Sequence, residues 1–153
     1  MKRGKSTPRA KAIKRNPKSP RHKAKEIAFD ALRDFVLVRD GGCVLCGARL
    51  GDWRNGRRII FQCSHFFSRA KESTAWDTRN AYCQCKSCHM SFHKVNSKPY
   101  NDFIRSKLGQ EQLDALELFS NQVAKYTVDD ILEIAYNLKQ RRLELEGNRC
   151  PTL

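Results

Sequence analysis

No apolar run in this 153-residue chain approaches the roughly 20 residues that a membrane-crossing helix needs. Its N-terminus also lacks the apolar stretch of a signal peptide. These two absences lead to the expectation of a cytoplasmic protein with no membrane contact. No repeat recurs at solenoid periods, which sets stacked-repeat architectures aside. Acidic residues are missing altogether from positions 1–25, where eleven Lys or Arg occur. The seven cysteines are not spread along the chain as a secreted disulfide framework would spread them. Most lie in or near C-x-x-C pairs, a pattern that favours metal binding in a reducing compartment.

What is present is positive charge, unevenly placed. The net charge is +14. Residues 43–100 carry 10 basic groups against 3 acidic ones, and the segments on either side of that stretch are acidic once the first 25 residues are set apart. Residues 1–23 are rich in Lys, Arg, Pro and Ser and nearly free of large apolar side chains. Such a segment buries too little surface to fold alone and is expected to be a disordered tail. Its cations, among them Lys11, Lys14, Arg15, Arg21 and Lys23, suit an arm that neutralises nucleic-acid phosphates, the alternative being a solubility tail. A flexible arm of about 25 residues reaches about 25–30 Å.

Helical periodicity brackets the chain. Over residues 24–42, Ala28, Leu32, Phe35 and Val36 form one stripe, and Gly41–Gly42 stops the helix. In residues 99–147, Pro99 opens a helix that Gly109 stops, a short second piece follows, and Thr127 caps a third with Asp129 and Asp130 in its first turn. The apolar face of this last helix is expected to be Val128, Ile131, Leu132, Ala135 and Leu138. Residues 148–153 are read as a tail. Between these flanks, residues 43–98 form a core module. Residues 57–67 follow the turn signal Arg54-Asn55-Gly56 and read as a strand, 80–85 as a return strand, and 86–96 as a helix.

Two knuckles, Cys43-x-x-Cys46 and Cys85-x-x-Cys88, turn both sulfurs of each pair toward one point, and together they make a four-cysteine Zn2+ site. Binding energy of about 10–16 kcal/mol at such a site becomes folding energy. Cys63, Cys83 and Cys150 are left over and read as free thiols. His65, Asn80, His89 and His93 remain. On a helix, His89 and His93 at i, i+4 share one face and can hold one divalent ion together.

His65, Asn80 and His89 resemble the HNH, or His-Me finger (ββα-metal), nuclease motif. His93 adds the histidine pair of the colicin nuclease branch. From about Cys43 to Glu146 the chain is similar to the phage NinG (Rap) recombination nucleases. The resemblance is carried by "CVLCG", "SHF", "RNAYCQCKSC", "PYNDFIRSKLGQEQLDAL" and "TVDDILEIAYNLKQRRLEL". It implies an α+β fold: a small zinc-stabilised ββα-metal core flanked by an N-terminal helix and C-terminal helices. It also implies metal-dependent cutting of branched recombination intermediates in the host cytoplasm.

Phosphodiester hydrolysis needs a base, and a neutral imidazole titrating near pH ~6.5 can deprotonate water. The resemblance assigns that role to His65, with Asn80 orienting its ring by a hydrogen bond. His89 and His93 would hold a catalytic Mg2+ or Mn2+. Many HNH enzymes carry an acid or histidine just before the base; here Ser64 stands there, as a small residue does in the NinG-like pattern. Gln62, Asp77 or water would then complete the cation's shell. Arg69 and Lys71 are candidates to contact a phosphate. Nothing in 43–100 suggests base-specific reading, so the expected partner is DNA recognised by shape and backbone, branched DNA in particular. A homodimer joined through the C-terminal helices would suit paired cuts. Two other readings are a zinc-knuckle DNA-binding scaffold with an inactive site and a sequence-specific HNH enzyme.

Overall fold

The computed structural model describes residues 19–148. Helix α1 spans Pro20–Asp40. Ser19 caps it, its Oγ accepting from the His22 N–H at 3.2 Å, and Pro20 occupies the first turn. The helix thus starts four residues ahead of the expected position 24, because Ser-Pro is a stronger start signal than the apolar stripe behind it. Arg21 and Lys23, expected in the disordered tail, stand on α1 instead. Lys11, Lys14 and Arg15 lie outside the described residues. At the other end Gly41, at φ 67°, donates to the Leu37 carbonyl and closes the helix.

The chain next makes the first knuckle and a small hairpin of β1 (Trp53–Arg54) and β2 (Arg57–Arg58). Asn55 and Gly56 both have positive φ, 51° and 71°, as a type I′ turn requires. The single strand expected over 57–67 is broken at Ile59–Ile60. The Ile59 N–H bonds back to Asp52, whereas the Ile60 carbonyl accepts from Lys86, so the chain leaves one sheet for another. Strand β3 (Phe61–His65) then pairs antiparallel with β4 (Ala81–Cys85), in a register that runs from Phe61 opposite Cys85 to His65 opposite Ala81. Helix α2 (Lys86–Lys94) follows β4 without a loop. Helix α3 (Lys98–Ser120) is two helices joined at Gly109, whose φ of 75° and ψ of 167° break it where the stop was expected. Helix α4 (Val128–Gly147) opens with a capping box in which Thr127 and Asp130 bond each other's backbone N–H.

The described residues therefore form an α+β fold, with the β3–β4 ribbon between two helical layers. On one face α1 packs against α4 and the ribbon, burying Ala28, Leu32, Phe35 and Val36 with Ile131, Ala135, Leu138, Ala81 and Cys83. Leu132, expected on this face, is 39 % exposed, because the buried stripe of α4 advances by three and four residues from Ile131 and leaves it to one side. On the other face Tyr82, Tyr100, Ile104 and Leu113 cluster, with Phe92 edge-on to Tyr100. The Tyr100 hydroxyl donates to the Ser64 carbonyl at 2.9 Å and ties α3 to β3. No described helix is long and apolar enough to cross a membrane.

Candidate functional site

The first knuckle is built by short backbone bonds. The Cys43 N–H donates to the Ala48 carbonyl at 2.7 Å and the Gly47 N–H to the Cys43 carbonyl at 3.0 Å. Gly42 pairs with Arg49 so closely that a Cβ there would lie 2.2 Å from the Ala48 oxygen. The Val44 N–H, bonded to the Cys83 carbonyl at 2.9 Å, docks the knuckle on β4. Cys85 is both the last residue of β4 and the N-cap of α2, and Cys88 lies one turn on.

The sulfurs of Cys43, Cys46, Cys85 and Cys88 all lie within 4.8 Å of one another, with Cys46 and Cys85 at 3.7 Å. A tetrahedral zinc with Zn–S bonds of about 2.3 Å sets its sulfurs about 3.8 Å apart, so the four residues fit that ion. Burial raises the Cys46 thiol, but bonds from the Ala48 backbone, Cys43, Cys85 and Arg54 outweigh it and bring it to about 7. Burial pushes Cys85 and Cys88 up. Four sulfurs this close favour deprotonation only beside a cation. Cys63 and Cys83 stand opposite each other on the ribbon as free thiols, both pushed up to about 12 by burial, and belong to no such cluster.

A cleft of about 780 Å³ runs along the open edge of β3, between α1 and α2. His65 lines it from the end of β3 and His89 from α2, beside Phe29, Gln62, Arg69 and Phe92. Residues alternate along the strand, so His65 faces the α1 side and Gln62 the α2 side, with the cleft touching both. The His65 Nε2 bonds the Ala75 carbonyl at 2.9 Å. A carbonyl only accepts, so Nε2 carries the proton and Nδ1 is the basic nitrogen. Burial holds the imidazole below its ordinary value of 6.5, the Ala75 bond opposes this, and Arg69 adds to it. Phe29 meets the ring edge-on, with centroids 6.0 Å apart.

Asn80 makes no bond to the imidazole, contrary to expectation. It is fully buried; its Oδ1 accepts from the Phe67 N–H at 2.7 Å, and its Nδ2 donates to the carbonyls of Phe67 at 3.1 Å and Thr74 at 2.9 Å. The amide thus clamps both ends of the loop whose next residue, Ala75, holds His65. It reaches the His65 ring only at one remove, because its position before β4 sets it under the loop rather than beside the ring.

On the α2 side, the His89 Nδ1 bonds the Gln62 Oε1 at 2.6 Å. Gln62 therefore orients a ring, and a cation would be taken through Nε2. The side chain of His93 lies outside the described part of the structure. Ser64 does not line the cleft: it pairs with Tyr82, is fully buried, and its Oγ has no hydrogen-bond partner among the described residues. Asp77 is also turned elsewhere, accepting from the Arg79 N–H at 2.8 Å and pairing with its guanidinium at 2.7 Å.

The basic candidates separate. Arg69 lies in the cleft, its guanidinium 5.7 Å from the Phe29 ring centroid. Lys71 is drawn off to the end of α3, donating to Ser120 at 3.2 Å and Asn121 at 2.9 Å. Arg21 pairs with Glu72 at 2.6 Å and bonds the Tyr126 carbonyl, Lys25 shares the same carboxylate, and Lys23 is exposed. Sequence reasoning missed Asp30 and Arg33, which bring charge to the cleft from α1 and pair with each other at 2.9 Å. Their i, i+3 spacing on the exposed side of the helix was the available signal. It also missed the Ala75 carbonyl, which no residue type reveals.

The family model described as the bacteriophage lambda NinG protein matches residues 1–147. No curated protein and no solved structure matches the chain.

Proposed function

Because the chain belongs to the bacteriophage lambda NinG family, we propose that it is a metal-dependent endonuclease of the HNH type, acting on branched DNA intermediates of phage recombination in the host cytoplasm. One observation carries the reading. Two histidines line one cleft, and a ring nitrogen of each is anchored, that of His65 by the Ala75 carbonyl and Nδ1 of His89 by Gln62. Held in this way, His65 suits a base and His89 a ligand.

The chemistry follows from the side chains. A water in the cleft gives its proton to His65 Nδ1, and its oxygen forms the new bond to phosphorus as the bond to the 3′ oxygen breaks. Burial keeps the imidazole neutral at physiological pH and so able to accept that proton. His89, joined by His93, would hold Mg2+ or Mn2+, which when bound supplies positive charge to a phosphate oxygen and to the departing 3′ oxygen. Arg69 is placed to meet phosphate charge at the cleft. The four cysteines would hold zinc outside the reaction, and so loaded would fix the junction of β4 and α2, and with it His89.

A substrate read by backbone and shape, such as branched DNA, is supported by the basic groups in 43–100 and in the N-terminal segment, with nothing in 43–100 suited to reading bases. The test is to incubate the protein with labelled four-way junction, flap and linear duplex in Mg2+ or Mn2+, beside His65→Ala. Cutting of branched substrates by the native protein alone is expected. Absence of cutting in every metal, or equal cutting by the variant, would sink the reading.

A further inference from the structure

The β1–β2 hairpin lies outside the cleft and has no part in the chemistry above, yet its surface is built for a polyanion. Arg54, Arg57, Arg58 and Lys86 line an open groove of about 590 Å³. Among the described residues none of the four pairs with an acid, and the one acid of residues 49–60, Asp52, accepts from the Arg49 backbone at 2.8 Å instead. Beside them Trp53 is 69 % exposed, an unusual place for the largest aromatic side chain. Trp53 sits directly opposite Arg58 in the register, so an aromatic ring and a cation share one face of the hairpin.

This surface is also held firmly. The type I′ turn at Asn55–Gly56 sets the strand pairing, Arg54 reaches the Cys46 sulfur at 3.9 Å, and the Ile60 carbonyl fixes Lys86 at 2.8 Å. Extended chain rises about 3.3–3.4 Å per residue, so Ile60 stands about 17 Å from His65 along β3. With about 3.4 Å per nucleotide along one strand, that is about five nucleotides from the site of cutting.

We infer that the β1–β2 hairpin is a second DNA contact, in which Arg54, Arg57, Arg58 and Lys86 take backbone phosphates and Trp53 stacks on a base left unstacked at a branch. The inference rests on DNA being the partner, as proposed above. Charge alone would hold any duplex; the exposed ring adds a preference for branched over linear DNA, because only an unstacked base offers it a face.

The test measures binding in place of cutting, so it stands apart from the nuclease assignment. The full zinc-loaded chain carrying His65→Ala is titrated with labelled four-way junction and with linear duplex, without added Mg2+, over a range of salt. Replacing Arg57 and Arg58 together by Ala should reduce the slope of log K against log[salt] by about 1.8 on both DNAs. Trp53→Ala should weaken junction binding at least about fivefold and leave duplex binding unchanged, and Trp53→Phe should restore most of the loss. Because the other tryptophan, Trp76, is 6 % exposed, junction DNA should quench the emission of the exposed Trp53. An unchanged slope in the double variant, or equal loss on both DNAs for Trp53→Ala, overturns the inference. If the native protein fails to cut while the hairpin variants still lose binding as stated, the nuclease reading falls and this one stands. If it cuts and the variants bind as the native chain does, the reverse holds.

Discussion

His65 Nε2 donates to the Ala75 carbonyl oxygen at 2.9 Å, and the ring lies against Phe29. Its basic nitrogen is thereby fixed as Nδ1. Burial places the pKa below 6.5. The rate should therefore rise with pH as the imidazole loses its proton, with its midpoint below pH 6.5. Arg69 contributes to the lowering, so Arg69→Ala should move the His65 titration upward, measured by NMR on the protein without DNA. A downward shift would contradict this placement of charge. His65→Ala should lower the rate by about 10²–10⁴.

The same shift bears on stability. A histidine whose folded pKa is depressed favours the fold in its neutral form. Its contribution is complete above 6.5 and is lost as pH falls through the lower folded value. The melting temperature should fall on acidification in the native protein and less so in His65→Gln; equal acid sensitivity in both would remove His65 as the cause.

Asn80 should couple stability to the His65 site. Asn80→Asp keeps the acceptor for the Phe67 N–H but sets a carboxylate against the Phe67 and Thr74 carbonyls. Leaving buried groups unpaired costs about 1–3 kcal/mol each. The variant should lose at least that much by urea denaturation and should lose activity as well, with the His65 titration altered through the released loop. An undisturbed titration would show that the clamp does not reach the base.

The two proposed metal positions should respond differently. Cys85→Ser should lower zinc content and unfold the domain, while His89→Ala should stay folded and cut slowly. Gln62→Leu should raise the Mg2+ or Mn2+ needed for half-maximal rate by about 10–100-fold with zinc content unchanged. If Cys85→Ser and His89→Ala unfold alike, the division into two metal positions fails.

Much of this was legible in the sequence where the cause is local. Two C-x-x-C knuckles converge because each bends its own four residues, and the Asn55–Gly56 turn and Thr127 cap speak through their own backbones. Asn80 was harder to read. Its residue type promised a hydrogen bond, but its partners were decided by a loop that returns beneath it. Gln62 looked like a ligand from its place in β3, and only the packing of α2 turned its amide onto His89. The start of α1 shows a different failure: the apolar stripe drew attention from Ser19 and Pro20, which set the boundary.

That boundary alters how the N-terminal cations should be tested. Removing residues 1–18 takes away eight basic groups and leaves the Ser19 cap and the Glu72 pairs intact. The salt slope for DNA binding should fall, by at most about 7, while the melting temperature holds. An unchanged slope would return the segment to a solubility role.

Cys88 and His89 are consecutive residues of α2, and none of the four clustered cysteines lines the cleft. On the proposed reading, damage to the sulfurs would pass to the cleft across one peptide bond. A thiol oxidant or a strong zinc chelator would act on this protein as a remote inhibitor, disarming the cleft without entering it. On the proposed reading, cutting would be gated by the zinc and redox state of the infected cell as well as by the DNA on offer.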